Sequence, residues 1–579
     1  AQRQAPELEL APEICPPEMD GDITLNCFRL AKPLKTNPME LAKEAGAFLD
    51  AHADTAAVEV IKAFVNVTLQ PEALFRDTVA DVDRLQAAAE LADGDRRHVL
   101  IEYSAPNTNK PLHLGHVRNN CLGQALVGIL RRAGHRVTAV NLVNDRGIHI
   151  CKSMVAYQRF GNGETPTSAG MKGDHLVGKY YVKYAEELRR QADALRQDND
   201  ELTDRDDDAL APETEIGRAA QEMLVQWEAG DDHVLKLWRT MNGWVLDGFD
   251  ATYKRMGIEF DRVYYESETY KLGRDLIDDG LARGVFYVRD DGATEIDLSA
   301  RKLDRKVVLR SDGTSVYITQ DLGTTKVKHD EFAPDTMVWV VGDEQIYHFK
   351  VLFAILQELG LPWADDLHHL AYGMVNLPQG KMKSREGTVV DADNLFDEMH
   401  QLARAEIVSR LDEPPADLDA RAEIIGMGGI KFMLLKVNPK TTMKFDPEAA
   451  VKFEGDTGAY VQYACARIAA IGRKAEEKEI ADEPDWSRLT HEKERALAVT
   501  CAAFGDTVRR AADDLDPGRL TTYLLELAKA FNSFYHDCPV VKGDVDPVTR
   551  RTRLCLCEAV LALLSDGLAA LTIQPLSRM

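Results

Sequence analysis

Uninterrupted apolar runs and runs of helical period divide the chain into distinct stretches. "HVLIEYS", from His98, shows no polar alternation, as expected of a strand covered on both faces, and "RVTAVNLVND" repeats that pattern. Between them Val117, Cys121, Ala125 and Ile129 recur on one helical face, and Gly134 supplies the stop. Strand, helix and strand in this order predict a βαβ unit and a parallel sheet. From about 161 to 262 the sequence turns polar and helical and reads as an insertion, with "QDNDELTDRDDDALAPETE" expected to be a mobile surface stretch. Strand patterns resume in "EIDLS" and in "KVVLRSDGTSVYIT", where Asp312–Gly313 signals a hairpin turn, and continue through "TMVWVVGD" and "HHLAYGMVNL" around the helix "EQIYHFKVLFAILQELG".

The flanks differ in texture. Residues 1–97 mix an amphipathic helix, "MELAKEAGAFLDAH", with an alternating strand, "IKAFVNVTL", and end in the linker-like "ADGDRR". From Asp391 onward nearly everything has helical period, and no short repeat is visible. The expected organisation is an α+β domain over 1–97, an α/β parallel-sheet domain over 98–400 with its helical insertion, connecting helices over 401–455 and an all-helical domain over 456–579.

Composition narrows the class. At 579 residues the chain exceeds the roughly 250–300 that one hydrophobic core can serve. No apolar run approaches the roughly 18 residues needed to cross a bilayer, which excludes a helical membrane role. The first twenty residues show no basic region leading into an apolar one, so a cytoplasmic location is expected. The nine cysteines lack framework or zinc-ligand spacing, and Cys555 and Cys557 read as small core hydrophobes, so no structural zinc is expected. A net charge of −25 opposes indiscriminate binding of a polyanion, although local basic stretches, "GRKAEEK" and "VTRRTR", offer candidate contacts if they are not simply solvated helix faces.

Two motifs carry chemistry. In "SAPNTNKPLHLGHVRNN", His113 and His116 face the same way at the start of a helix that follows a parallel strand, where free N–H groups and the helix dipole suit phosphate. Gly115 lets a flat ligand approach the backbone. The competing reading makes the two histidines a helix cap and nothing more. Far downstream, "KMKSREGTVV" places Lys381, Lys383 and Arg385 within five residues, a cationic clamp suited to pyrophosphate, with Met382 and Ser384 between them.

Together, H-L-G-H and K-M-K-S-R resemble the two signatures of class I aminoacyl-tRNA synthetases, which implies a Rossmann-like nucleotide-binding sheet that activates an amino acid with ATP. "IEYSAPNTNKPLHLGH" resembles the arginyl members in particular, as do "GDITLNCFRLAKPLKTNP", "YYESETY", "TGAYVQYACARI" and the closing "PLSRM". The resemblance implies an arginine–tRNA ligase whose substrates are L-arginine, ATP with Mg²⁺, and tRNA(Arg), in a chain more probably monomeric than oligomeric. It makes His113, His116, Lys381 and Lys110 catalytic and assigns Gly115, Gly373, Met374, Val375, Met382, Lys383, Ser384 and Arg385 to ATP. Lys110 stands where some arginyl members compensate for a lysine missing from the second motif, here replaced by Ser384. Ala105 replaces a serine often found in this stretch.

A guanidinium is matched best by carboxylates in fork geometry. The resemblance carries Glu102, Tyr317 and Asp321 over as its readers, with Tyr317 and Asp321 four residues apart on one side of a helical turn, and gives Asn107 and Gln345 the α-amino and carboxylate ends. It implies an N-terminal domain that grips the outer corner of the tRNA and a helical anticodon-binding domain. There Tyr460 and Tyr523 are the candidate base contacts, while most rings of "FNSFYHDC" are expected in the core. Dependence of adenylate formation on bound tRNA is implied as well. Other readings are a cysteinyl-type synthetase, which would need zinc ligands, a catalytically silent tRNA-binding paralogue, and a nucleotidyltransferase without an RNA partner.

Overall fold

The computed structural model describes residues 13–16, 19–376, 390–411 and 413–578. At its centre lies a five-stranded parallel sheet in the order Leu367–Tyr372, Thr336–Gly342, His98–Glu102, Arg136–Val143, Arg262–Tyr265. Alternate residues serve two cores. Val99, Ile101, Val338 and Val340 face one, and Leu100, Met337 and Trp339 face the other. With helices over both faces, all five residues of His98–Glu102 are buried, which is why that run shows no polar alternation.

The first strand of this sheet in sequence is its middle strand. The chain winds outward to one side through 136–143 and 262–265, then returns to build the other side from 336–342 and 367–372. The order therefore reverses between His98–Glu102 and Thr336–Gly342. In open parallel sheets the crevice beyond the carboxyl ends of strands at such a reversal receives ligands.

Several expectations change in detail. "IKAFVNVTL" is not one strand: Thr55–Ile61 and Phe64–Leu69 form an antiparallel hairpin that turns at Lys62, whose φ is 56°. The hairpin belongs to a four-stranded antiparallel sheet carrying the helix Pro38–Asp50 on a small core of its own. "KVVLRSDGTSVYIT" turns as expected at Gly313, with φ of 78°, but its returning arm is reduced to the single bridge Leu309 to Ser315, and Tyr317 opens the helix Tyr317–Phe332. The acidic insertion stretch is folded into short helical turns: Leu210 is buried, Arg196 meets Asp207 at 2.6 Å and Arg205 meets Glu213 at 2.5 Å. Beyond the sheet, the helix Ala392–Val408 carries the chain across residue 400, and the C-terminal helices share one continuous core with the sheet. No helix among the described residues is long and apolar enough to cross a membrane.

Candidate active site

The turn after the central strand is held in an unusual conformation. Ser104 and Ala105 both have positive φ, at 78° and 45°, which costs non-glycine residues on the order of 1–3 kcal/mol each. Side chains from several elements impose it. The Ser104 amide donates to Asn119 at 2.6 Å and the Ala105 amide to Asn141 at 3.0 Å. The Ser104 hydroxyl meets the Tyr253 hydroxyl at 2.7 Å, and Asn144 donates to the Ala105 carbonyl at 3.2 Å. Asn119 also donates to Val340 on the neighbouring strand, at 2.7 Å, so one buried amide ties the turn to both sides of the reversal.

The loop then delivers His113 to the start of the helix Leu114–Arg132. His113 Nδ1 accepts from the Gly115 amide at 3.1 Å, and His116 Nδ1 accepts from the His113 amide at 3.2 Å. The capping reading is therefore right as geometry, yet it does not compete with chemistry. A neutral imidazole that accepts at Nδ1 carries its proton on Nε2, so each ring keeps one donor for a ligand. The ring centroids lie 3.9 Å apart. Burial, reinforced by Lys110, pushes His113 down to about 4, and burial, with His113 and Lys110 adding to it, holds His116 well below the usual imidazole range. Lys110, itself lowered by burial, lines a small cavity of ≈ 250 Å³ together with His113. An ammonium and two imidazole N–H donors gathered at one helix start suit an anionic ligand, although Asp391 lines the same cavity.

Lys381, Met382, Lys383, Ser384 and Arg385 lie outside the described residues. The residues flanking them are bonded to the histidine helix. The Leu114 amide donates to the Val390 carbonyl at 3.1 Å, the Ala392 amide to Leu112 at 2.9 Å, and His113 bridges Asp391. On the other flank the fully buried Arg118 donates to the carbonyls of Met374 at 3.0 Å, Pro439 at 3.1 Å and Thr441 at 2.8 Å. Gly373 is explained by this packing, since a Cβ there would lie 2.7 Å from the backbone of Thr441 and Thr442. Val375–Asn376 then pairs in parallel with Met443–Lys444. Nothing in the sequence marked Arg118, an ordinary-looking helix arginine, as the clamp of this segment.

Beside the strained turn opens a cleft of ≈ 990 Å³ lined by Asn107, Asn144, Arg146, Glu266, Tyr317 and Asp321 among others. Asp321 Oδ2 is 2.6 Å from His348 Nε2, and Tyr317 is exposed. Two of the expected arginine readers are not among the lining residues. Glu102 is buried at the strand end with its carboxylate in an ion pair with Lys328, and Gln345 is an exposed residue in the turn after Gly342. Glu266 is on the cleft too: it falls in "YYESETY", noted in the sequence only as a segment resembling the arginyl members, and it opens a one-turn helix directly after a strand. Burial raises its carboxyl to about 7, with Arg146 opposing and the charges of Asp145 and Asp321 adding to the rise.

In the helical domain Tyr523 is buried against Phe504, with ring centroids 5.9 Å apart, which removes it from the candidate base contacts. Tyr460 is half-buried, and its hydroxyl accepts from Asn532 at 2.8 Å. Asn532 lies on the wall of a ≈ 530 Å³ cavity that also has Arg467, Lys474, Tyr535, His536 and Lys542, all cationic or aromatic.

Among known proteins, residues 81–446 match the family described as tRNA synthetases class I (R), catalytic domain, residues 461–579 the DALR anticodon binding domain, and residues 2–69 the arginyl tRNA synthetase N terminal domain. The chain belongs to the arginyl-tRNA synthetases. The arginine–tRNA ligase of Amoebophilus asiaticus is 46% identical over 538 residues, covering 90% of this chain and 88% of the relative. That of Porphyromonas gingivalis strain W83 is 44% identical over 573 residues, covering 97% and 94%. The solved Thermus thermophilus arginyl-tRNA synthetase superposes with a TM-score of 0.84 at 27% identity, over 100% of this chain and 98% of that one. A Plasmodium falciparum arginyl-tRNA synthetase shares the fold with a TM-score of 0.75 at 17% identity, over 100% and 97%. As an arginyl-tRNA synthetase the chain is an aminoacyl-tRNA ligase that charges tRNA with arginine.

Proposed function

We propose that the crevice at the sheet reversal carries out both half-reactions, with the triphosphate on the His113–His116 turn and the arginine side chain in the cleft of Asp321. The observation that supports this most is the junction itself. The residues flanking the second motif are hydrogen-bonded to the helix turn that carries the first, beside a cleft with ionisable carboxyls. ATP enters as its Mg²⁺ complex. The arginine carboxylate attacks the α-phosphorus in line, forming the acyl–phosphate bond as the bond to pyrophosphate breaks. His113 and His116, through their Nε2 protons, and Lys110 stabilise the charge that develops on the phosphate oxygens. The 3′-terminal ribose hydroxyl of the tRNA then attacks the acyl carbon, and AMP leaves. No side-chain nucleophile takes part, so rate comes from positioning and electrostatics.

At the other end Asp321, with Glu266 across the cleft, reads the guanidinium, while Tyr317 covers it. Anticodon bases stack and bond in the Tyr535 cavity, with Tyr460 at its edge through Asn532. Arginine-dependent ATP–pyrophosphate exchange, measured with and without tRNA(Arg), tests the whole reading. Exchange is expected only when tRNA is present. Equal exchange without tRNA would remove the coupling, and none under either condition would mark a silent paralogue.

Glu266 gives this cleft a pH dependence with a definite sign. A carboxyl raised to about 7 is protonated below that pH and offers a guanidinium no charge. The Michaelis constant for arginine should therefore fall as pH rises from 6 toward 8, by up to about tenfold per pH unit below the pKa. Glu266→Gln should flatten that slope. A slope that persists in the variant would assign the titration elsewhere.

A further inference from the structure

The loop carrying His113 is backed by a charged cluster in which neither motif takes part. The helix Gly173–Asp198 of the insertion comes down on this loop at Gly178, where a Cβ would lie 2.8 Å from Pro111 Cδ. One turn earlier, His175 Nε2 is 3.0 Å from Asp393 Oδ2 and 3.5 Å from Asp391 Oδ2. Asp391 is the bridge partner of His113 and the N-cap of the helix Ala392–Val408, its Oδ1 accepting from the amides of Asp393 at 2.9 Å and Asn394 at 3.1 Å. Its Oδ2 is buried with no hydrogen-bond partner among the described residues and faces the His175 imidazole at close range. Thr252 donates to Asp393 at 3.2 Å, and Lys172 joins Asp393 and lies 3.2 Å from Asp174. The ligand atoms of Asp174, His175 and Asp393 lie within 4.8 Å of one another, but the Lys172 ammonium already supplies their counter-charge.

We propose that His175 is a positioning residue for arginine activation: by holding Asp391 and Asp393 it fixes the backbone that pairs with His113, and so keeps the His113 imidazole in register with the triphosphate. The proposal rests on the catalytic reading of His113. His175 touches no reacting atom in it. It acts through the bridge to Asp391, the Leu114 to Val390 bond and the Ala392 to Leu112 bond, which together set where the His113 ring stands. A displacement of about 1 Å at a reacting group can cost about a hundredfold in rate.

The staple is strongest when His175 is charged. The groups facing it are Asp174 on its own helix, Asp391 and Asp393 on the next, and Lys110 and His113 across the cavity that it lines with Lys179. Lys179 is paired with Glu164 at 2.8 Å. The hydrogen bond to Asp393 raises His175 above the usual imidazole range against the opposing effect of burial, with Asp391, Asp174 and the Asp393 charge adding to the rise. A raised folded-state value means the staple is fully present below the unfolded value near 6.5 and is lost as pH rises through the folded one.

The test is tRNA-dependent pyrophosphate exchange by the full chain, with rates normalised to active sites. His175→Gln should lower kcat about tenfold to a hundredfold while leaving the Michaelis constant for arginine within about twofold. It should also abolish the alkaline fall expected of wild type as His175 loses its proton. Asp393→Asn should move that fall to lower pH. Lys183→Ala, on the same helix, where the lysine meets Glu186 and the Phe160 ring away from the cluster, should match wild type. If His113→Ala is crippled but His175→Gln keeps wild-type kcat and pH profile, the inference is overturned. If His113→Ala is itself unimpaired, the catalytic reading falls and takes the inference with it. Should His175→Gln fail to fold, the Asp393→Asn profile and the wild-type alkaline limb decide, and an unmoved limb counts against the proposal.

Discussion

Replacing His116 with alanine is expected to slow arginine-dependent pyrophosphate exchange about a hundredfold or more, with little change in the Michaelis constant for arginine. A donor that strengthens only as charge develops contributes on the order of 3 kcal/mol. The geometry adds a complication that the experiment must separate. His116 Nδ1 also accepts from the His113 amide, so alanine removes a helix cap worth about 1 kcal/mol of stability as well. His116→Asn distinguishes the two roles, because its amide oxygen can accept the cap bond. The asparagine variant should regain the melting temperature while recovering only part of the rate. If alanine lowers the melting temperature and leaves the active-site-normalised rate intact, His116 is a cap and the chemistry belongs elsewhere.

Asp321→Asn is expected to raise the Michaelis constant for arginine about tenfold to a hundredfold, since a charge-assisted hydrogen bond is replaced by a neutral one. The constant for ATP should stay within about twofold, because Asp321 stands in the cleft and not on the histidine turn. The side chain is oriented by His348 at 2.6 Å, and asparagine can keep that contact, so the change reports on charge more than on shape. Discrimination against citrulline, the neutral ureido analogue of arginine, should shrink in the same variant. Parallel changes in both Michaelis constants would remove Asp321 from guanidinium recognition.

The architecture was readable where one interaction dominates a stretch. Strands buried on both faces leave apolar runs that survive any tertiary context, and "HVLIEYS", "RVTAVNLVND" and "TMVWVVGD" all became strands of the parallel sheet. Short-range conformational choices were less visible. The hairpin in "IKAFVNVTL" turns on Lys62, a residue type that does not announce positive φ. Ordering of the acidic stretch depends on one buried leucine and on ion pairs from Arg196 just before it and Arg205 within it.

Within the candidate site, His113 and His116 drew notice by type and spacing, but their catalytic role is what the second motif and the family resemblance imply. Arg118 and His175 drew none, and Glu266 stood only inside a segment shared with the family. The partners that Arg118 and His175 meet lie far away in sequence, and a lone glutamate, arginine or histidine on a helix usually has a quieter role. Glu102 shows the converse, a strand-end carboxylate in a promising place that is paired with Lys328 from the helix Tyr317–Phe332.

The contorted turn at Ser104 and Ala105 bears on how tightly so small a substrate can be held. Its unfavourable torsions are overcome once, during folding, by four polar side chains, of which only Asn144 also lines the cleft. If arginine binds where we propose, it meets walls already shaped to receive it, and little of its binding energy goes into ordering the loop. Rigidity of this origin also limits evolutionary drift: an exchange at Asn119 or Asn141 would loosen the receptor without touching anything it receives.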